Sequence, residues 1–195
     1  MQKLVALAPS TSSKSIPIPL RRTVSLGLSE KSFYQAKDKR DEGPVKVYDY
    51  LYLGSRVSGS KDLAKLKALG ISYIIDCAKE YRDMKEKSRQ IELDDKEFKW
   101  LHLDLYDDER IISQFREEAE RAIRFIKDMA LQNKKIFVCC HLGTSRSAGI
   151  VLAYMMRKQD LDYSTALGQL RNLCAGTDQV ILPNKYIEAM LQMWE

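Results

Sequence analysis

Apolar residues recur along this chain with two periods that take turns. From Val45, "VKVYDYLYLG" alternates as a strand does, and "KDLAKLKALG" repeats as a short amphipathic helix closed by Gly70. "ISYIIDCA" is apolar enough for a buried strand. After a charge-rich connection of both signs over residues 79–99, "WLHLDL" alternates again. Ile112, Phe115, Ala119, Ala122, Ile123, Ile126 and Met129 then follow at spacings of three and four, the stripe of one helix ending near Asn133. "KIFVCC" predicts a short buried strand, and an apolar helix follows from Ala148 to about Met156. Asp162 is placed to cap a helix running through Leu173, and Pro183 to occupy the first turn of a final helix, "YIEAMLQMW". Strands separated by helices predict an α/β fold, a central, mainly parallel twisted sheet flanked by helices.

Residues 1–43 read differently. No acidic residue precedes Glu30, Ser, Thr and Pro are dense, and neither period lasts, so this stretch is expected to be a flexible tail and residues 44–195 the one domain. Charge adds little: 32 basic against 27 acidic residues give +5, too mild an excess for a nucleic-acid partner. No apolar stretch is long enough to span a bilayer and the start lacks a secretory core, so a soluble, intracellular protein is expected. Cys77, Cys139, Cys140 and Cys174 have neither zinc-type spacing nor the density of a disulfide scaffold, which makes reduced thiols the expectation.

The chemistry gathers after "KIFVCC". In an open parallel sheet ligands collect at the carboxyl ends of strands, where the next helix points its first amides outward. "CHLGTSR" stands there. Gly143 lets the backbone turn tightly, so that the N–H groups of His141, Leu142, Gly143, Thr144, Ser145 and Arg146 can line one phosphate-sized nest. Cys140 lies at its rim with Arg146 six residues on. Amide dipoles, the helix start and a guanidinium all favour thiolate over thiol, a nucleophile beneath a bound phosphate. Arg146 can hold two equatorial oxygens and stabilise their charge during transfer. A metal site built from Cys139, Cys140 and His141 is disfavoured, because consecutive strand residues point to opposite faces. His102 is expected to be a satisfied structural histidine, and His141 to face outward and tune recognition.

"CHLGTSRSAG" resembles the signature loop of the cysteine-dependent dual-specificity protein phosphatases, Cys-x-x-Gly-x-Ser-Arg-Ser. "VYDYLYLGS", "LKALGISYIIDCA", "AIRFI" and "LPNKYIEAML" are similar to further segments of that family, so the resemblance covers about residues 45–195. It implies a protein tyrosine phosphatase-like fold and a two-step hydrolysis that needs no cofactor. Cys140 would form a cysteinyl-phosphate, Arg146 bind the phosphate, and Ser147 assist release of the thiolate. The family's general acid is an aspartate upstream of the cysteine. Aligning "LDLYD" selects Asp107, with Asp108 in reserve and Asp104 still within the strand. Cys139 stands where the family has histidine; a thiol donates weakly, so a less supported thiolate and lower activity are expected. In lipid-phosphatase cousins a cysteine placed like Cys77 can form a disulfide with the catalytic one, and a Cys77–Cys140 bond under peroxide is one expectation, a small buried filler the other.

A loop without lysine favours a phosphoprotein over a phosphoinositide as substrate. In the tail, "LRRTVSLGL" carries Arg21 and Arg22 followed by Val24, Leu26 and Leu28, a pattern similar to segments that dock MAP kinases. Phosphorylation at Ser25, organelle import or plain disorder are the other readings of the tail, and the cytoplasm, with the nucleus beside it, is the expected location. Two rivals are a phosphoprotein-binding module that has lost catalysis and, more remotely, an RNA triphosphatase.

Overall fold

A computed structural model of the chain describes residues 43–57, 60–80, 82–83 and 98–194. Arg21, Arg22, Val24, Ser25, Leu26 and Leu28 lie outside the described residues. Five strands, β1 (Val45–Tyr48), β2 (Leu51–Ser55), β3 (Ile71–Asp76), β4 (Lys99–His102) and β5 (Lys135–Cys140), form one sheet in the order β1-β2-β5-β3-β4. Among the described residues only the β1–β2 pair is antiparallel. The helices are α1 (Ser60–Ala68), α2 (Ile111–Leu131), α3 (Arg146–Gln159), α4 (Tyr163–Leu173) and α5 (Lys185–Gln192).

Two alternating stretches are shorter as strands than their pattern suggests. "VKVYDYLYLG" is a hairpin, with Lys46 opposite Tyr52 and Tyr48 opposite Leu51. The turn at Asp49 and Tyr50 alone would swap the parity of the apolar positions, but a register shift between Lys46 and Tyr48 restores it and sets Val45 opposite Leu53, so a period of two cannot separate one long strand from two short ones. Exposed Asp49 is the one position that breaks the apolar series. In "WLHLDL" the strand stops at His102, yet Leu103 and Leu105 remain fully buried because the following loop still lies on the core.

Helix boundaries follow backbone chemistry. Gly70, at φ +75°, closes α1, and Asn133 and Asp160, both at φ 54°, follow α2 and α3 in the left-handed conformation. Asp162 caps α4 by accepting from Thr165 N at 2.8 Å. Pro183 is not in the first turn of α5 as expected: Asn184 is the N-cap, its side chain accepting from Tyr186 N and Ile187 N, so Pro183 falls just outside. An amide oxygen that takes two orphan donors outcompetes a ring that merely tolerates the first turn.

β5 divides the core. Ile136, Val138 and Cys140 point to the face that α2, α3 and α5 cover, whereas Phe137 and Cys139 point to the face under Leu63 and Leu66 of α1. Each large apolar side chain buried this way contributes about 1.5–3 kcal/mol. α3 is buried all round from Arg146 to Met156, and it begins two residues before the expected Ala148. A helix enclosed on every side should be apolar on every side. Arg146 and Ser147 are the exceptions, and both belong to the loop that precedes them.

Candidate active site

The loop between Cys140 and Arg146 is folded by its own backbone. Gly143 sits at φ +76°, and a Cβ there would lie 2.6 Å from the backbone carbon and 2.7 Å from the backbone oxygen of Gly54, so glycine alone fits. The carbonyls of His141, Thr144 and Ser145 accept from Arg56 N (3.4 Å), Leu182 N (3.0 Å) and Gly149 N (2.7 Å). In a trans peptide the next N–H points the opposite way, which turns the amides of Leu142, Ser145 and Arg146 away from those partners. The first turn of α3 starts at the same place, adding its positive dipole end.

The side chains converge on Cys140. Ser147 Oγ donates to Cys140 Sγ at 3.1 Å. Arg146, only 2% exposed, donates through Nη1 to Glu80 Oε1 and to Leu105 O (3.4 Å), and Nη2 lies 3.6 Å from Asp107 Oδ2. Burial opposes its charge, but Cys140, Glu80 and Asp107 outweigh burial and raise its pKa further. A buried guanidinium without such partners would be strongly destabilising.

Asp107 and Asp108 have opposite surroundings. Asp108 is clamped by Arg110 through both carboxylate oxygens at 2.5–3.0 Å and through Arg110 N, which holds its pKa down at about 2. It is committed to that pair. Asp107 faces the loop instead, accepting from Asn184 Nδ2 (2.7 Å) and Ser145 Oγ (3.4 Å). Asp104 turns away to Arg82 (2.9 Å) and Lys79 (3.7 Å).

The dual specificity phosphatase catalytic-domain family matches residues 51–195. The chain belongs to that dual-specificity phosphatase family. It is 26% identical over 178 residues to the Drosophila melanogaster protein phosphatase Slingshot, covering 89% of this chain and 16% of that protein. To the human dual specificity protein phosphatase 9 it is 32% identical over 148 residues, 75% of this chain and 36% of that one. The chain thus spans well under half the length of these curated relatives. A crystal structure of DUSP15 has the same fold, with TM-score 0.62 and 24% identity over 78% of this chain and 86% of that one. The human tyrosine phosphatase-like serine/threonine/tyrosine-interacting protein matches with TM-score 0.62 and 26% identity, covering 78% and 95%.

Within this dual-specificity phosphatase fold, Cys139 and Cys140 lie on opposite faces, so the family's histidine position belongs to the α1 side of the sheet. There Cys139 pairs in register with Asp76. Burial first, and the Asp76 charge second, push the Cys139 thiol well up and keep it neutral. Burial would raise Asp76 as well, but hydrogen bonds from His102 and Ala78 N and the charges of Arg82 and Arg56 leave it lowered. His102 therefore has the structural role expected, 3.7 Å from Asp76 Oδ2 and stacked on Trp100. His141 is partly buried, with its Nε2 turned inward and not outward, and its carbonyl ties the loop to Arg56. Cys77 is fully buried, and its N–H donates to Cys139 O at 2.8 Å, which sets it level with Cys140 on the same face.

Glu80 and Asn184 are the site residues that pattern reasoning missed. Glu80 lies in a charge-rich connection with no period to mark it. Asn184 was legible only as the residue after Pro183, where an N-cap signal could have found it.

Proposed function

We propose that the chain is a protein phosphatase hydrolysing phosphotyrosine and phosphoserine or phosphothreonine through a cysteinyl-phosphate. One observation carries this reading: the Ser147 hydroxyl, the Arg146 guanidinium and the Asp107 carboxylate all converge on the loop around Cys140. In the first step the Cys140 thiolate forms the S–P bond while the P–O bond to the leaving group breaks, and Asp107 passes its proton to the departing oxygen. Arg146 and the loop amides hold the equatorial oxygens. In the second step Asp107 takes a proton from the attacking water, and the S–P bond breaks with Ser147 donating to the departing sulfur.

Absence of lysine from "HLGTS" supports phosphoprotein over phosphoinositide. Arg21, Arg22, Val24, Leu26 and Leu28 are proposed to dock a MAP kinase, on sequence pattern alone. Removing residues 1–43 should then slow dephosphorylation of a phosphorylated MAP kinase and leave a short phosphopeptide unaffected. Cys77 is proposed as a redox partner, supported by its level placement beside Cys140. Peroxide would oxidise the Cys140 thiolate to a sulfenic acid, and the Cys77 sulfur would displace water from it to form the disulfide. Peptide mapping after mild peroxide that finds only overoxidised Cys140 rejects this.

The deciding experiment is hydrolysis of para-nitrophenyl phosphate and of tyrosine- and threonine-phosphorylated peptides by the full chain, with Cys140→Ser as control. Turnover that the substitution abolishes is expected. Phosphopeptide binding without turnover would favour the second reading, a phosphoprotein-binding module, which the likeness to a phosphatase-like interacting protein and the presence of Cys139 favour.

A further inference from the structure

Asn184 holds three groups at once. Its Oδ1 accepts from Tyr186 N (3.1 Å) and Ile187 N (2.9 Å), capping α5. Its own N–H donates to Ser145 Oγ at 3.0 Å, and its Nδ2 donates to Asp107 Oδ1 at 2.7 Å. The two cap bonds fix which way the amide lies: flipped, its NH2 would face two N–H donors and its oxygen would face a carboxylate. Donation toward Asp107 is therefore built in. Ser145 has one proton; its oxygen accepts from Asn184 N, and its hydrogen goes to the same Asp107 Oδ1, at 3.4 Å.

Both donors thus meet Oδ1, whereas Oδ2 is the oxygen turned toward Arg146, at 3.6 Å from Nη2. An oxygen that accepts two hydrogen bonds is a poor place for a proton. We propose that Asn184, with Ser145, is a positioning residue that confines the acid proton of Asp107 to Oδ2, the oxygen facing the phosphate-binding guanidinium. Without it the carboxyl group can turn about its χ2 bond and place its proton on the far side. The proposal rests on Asp107 being the proton donor in the reaction above, and it concerns a residue distant in sequence from every motif of the loop.

Leaving groups separate positioning from mere structure. A phenolate made electron-poor by substituents departs without a proton, whereas the tyrosine oxygen of a phosphopeptide needs one. Asn184→Ser keeps a capping oxygen but removes the amide donor. It should lower kcat on a phosphotyrosine peptide about tenfold or more, and lower kcat on an electron-poor aryl phosphate less than twofold. The same substitution in an Asp107→Asn background should cost nothing further on the peptide. Asn184→Asp, which also caps the helix but cannot donate, guards against a folding defect and should repeat the pattern. Equal losses on both substrates, no loss on either, or full additivity with Asp107→Asn would each overturn the proposal. A wild-type chain inactive on both substrates would instead overturn the function on which it rests.

Discussion

The loop around Cys140 and the loop that carries Asp107 meet at one site and are made in different ways. Residues 140–147 take much of their shape from neighbours in sequence, namely Gly143 at φ +76°, the first turn of α3 and the carboxyl end of β5, with Arg56 N and Leu182 N tying two of the carbonyls from outside. Residues 103–110 have no comparable local device at Asp107. Its partners Ser145 and Asn184 stand 38 and 77 residues away in sequence, and Glu80, which holds Arg146, stands 66 residues from it. The comparison teaches that the proposed nucleophile and the backbone turn around it can be carried in one short segment. The carboxylate proposed as proton donor is aimed at that segment by the rest of the fold.

Removing the distant contribution should have the largest effect. Asp107→Asn is expected to lower kcat on a phosphotyrosine peptide about 10³-fold, read by steady-state kinetics, because a missing general acid costs that order of rate. A loss below tenfold would place the acid elsewhere. Breaking the local device comes next: Gly143→Ala forces a Cβ against the Gly54 backbone and should displace the loop, costing about 10²-fold in kcat/KM. Retained binding of vanadate or tungstate in that variant would show that the cradle tolerates the side chain.

Glu80→Gln sharpens the comparison, since it leaves both loops in place and removes only the carboxylate that orients Arg146. A rise of about tenfold in KM with a smaller change in kcat is expected, one charge-assisted bond exchanged for a weaker one. Behind β5, Asp76→Asn should act on stability rather than rate. Because its folded pKa lies below the ordinary value of 3.8, the stability Asp76 contributes is complete above about pH 4 and is lost as pH falls through the folded value. Urea unfolding from pH 6 down to pH 3 should show the wild type losing stability below about pH 4 and the variant losing less. The smallest effect is expected for Arg110→Ala. That arginine and Asp108 form an exposed pair, so kcat should change less than about threefold.

Much of the architecture was written in periodicity. The apolar stripe of α2 and the buried run of β5 found their elements to within a residue or two, although Ile111 and not the half-exposed Ile112 faces the core, and Asp162 capped the helix assigned to it. The errors have a common source. A period of two survives a two-residue turn when a register shift restores the parity, so the β1–β2 hairpin looked like one strand, and Leu103 and Leu105 kept alternating beyond the end of β4. Pro183 was given a position that the Asn184 side chain takes by satisfying two donors. In each case burial or capping maintained the pattern.

By itself the sequence determined the segment from Lys135 to Ser147, because strand, glycine turn and helix start are local and the cysteine-to-arginine spacing is fixed by the chain. Tertiary structure alone supplied the groups that turn Asp107, the carboxylate the resemblance had singled out, toward that segment. Asp107 and Asp108 are chemically identical neighbours; Arg110 occupies one, while Asn184 and Ser145 turn the other toward Arg146. Arg110 is a local partner of Asp108, whereas the partners of Asp107 fold back onto it from far along the chain.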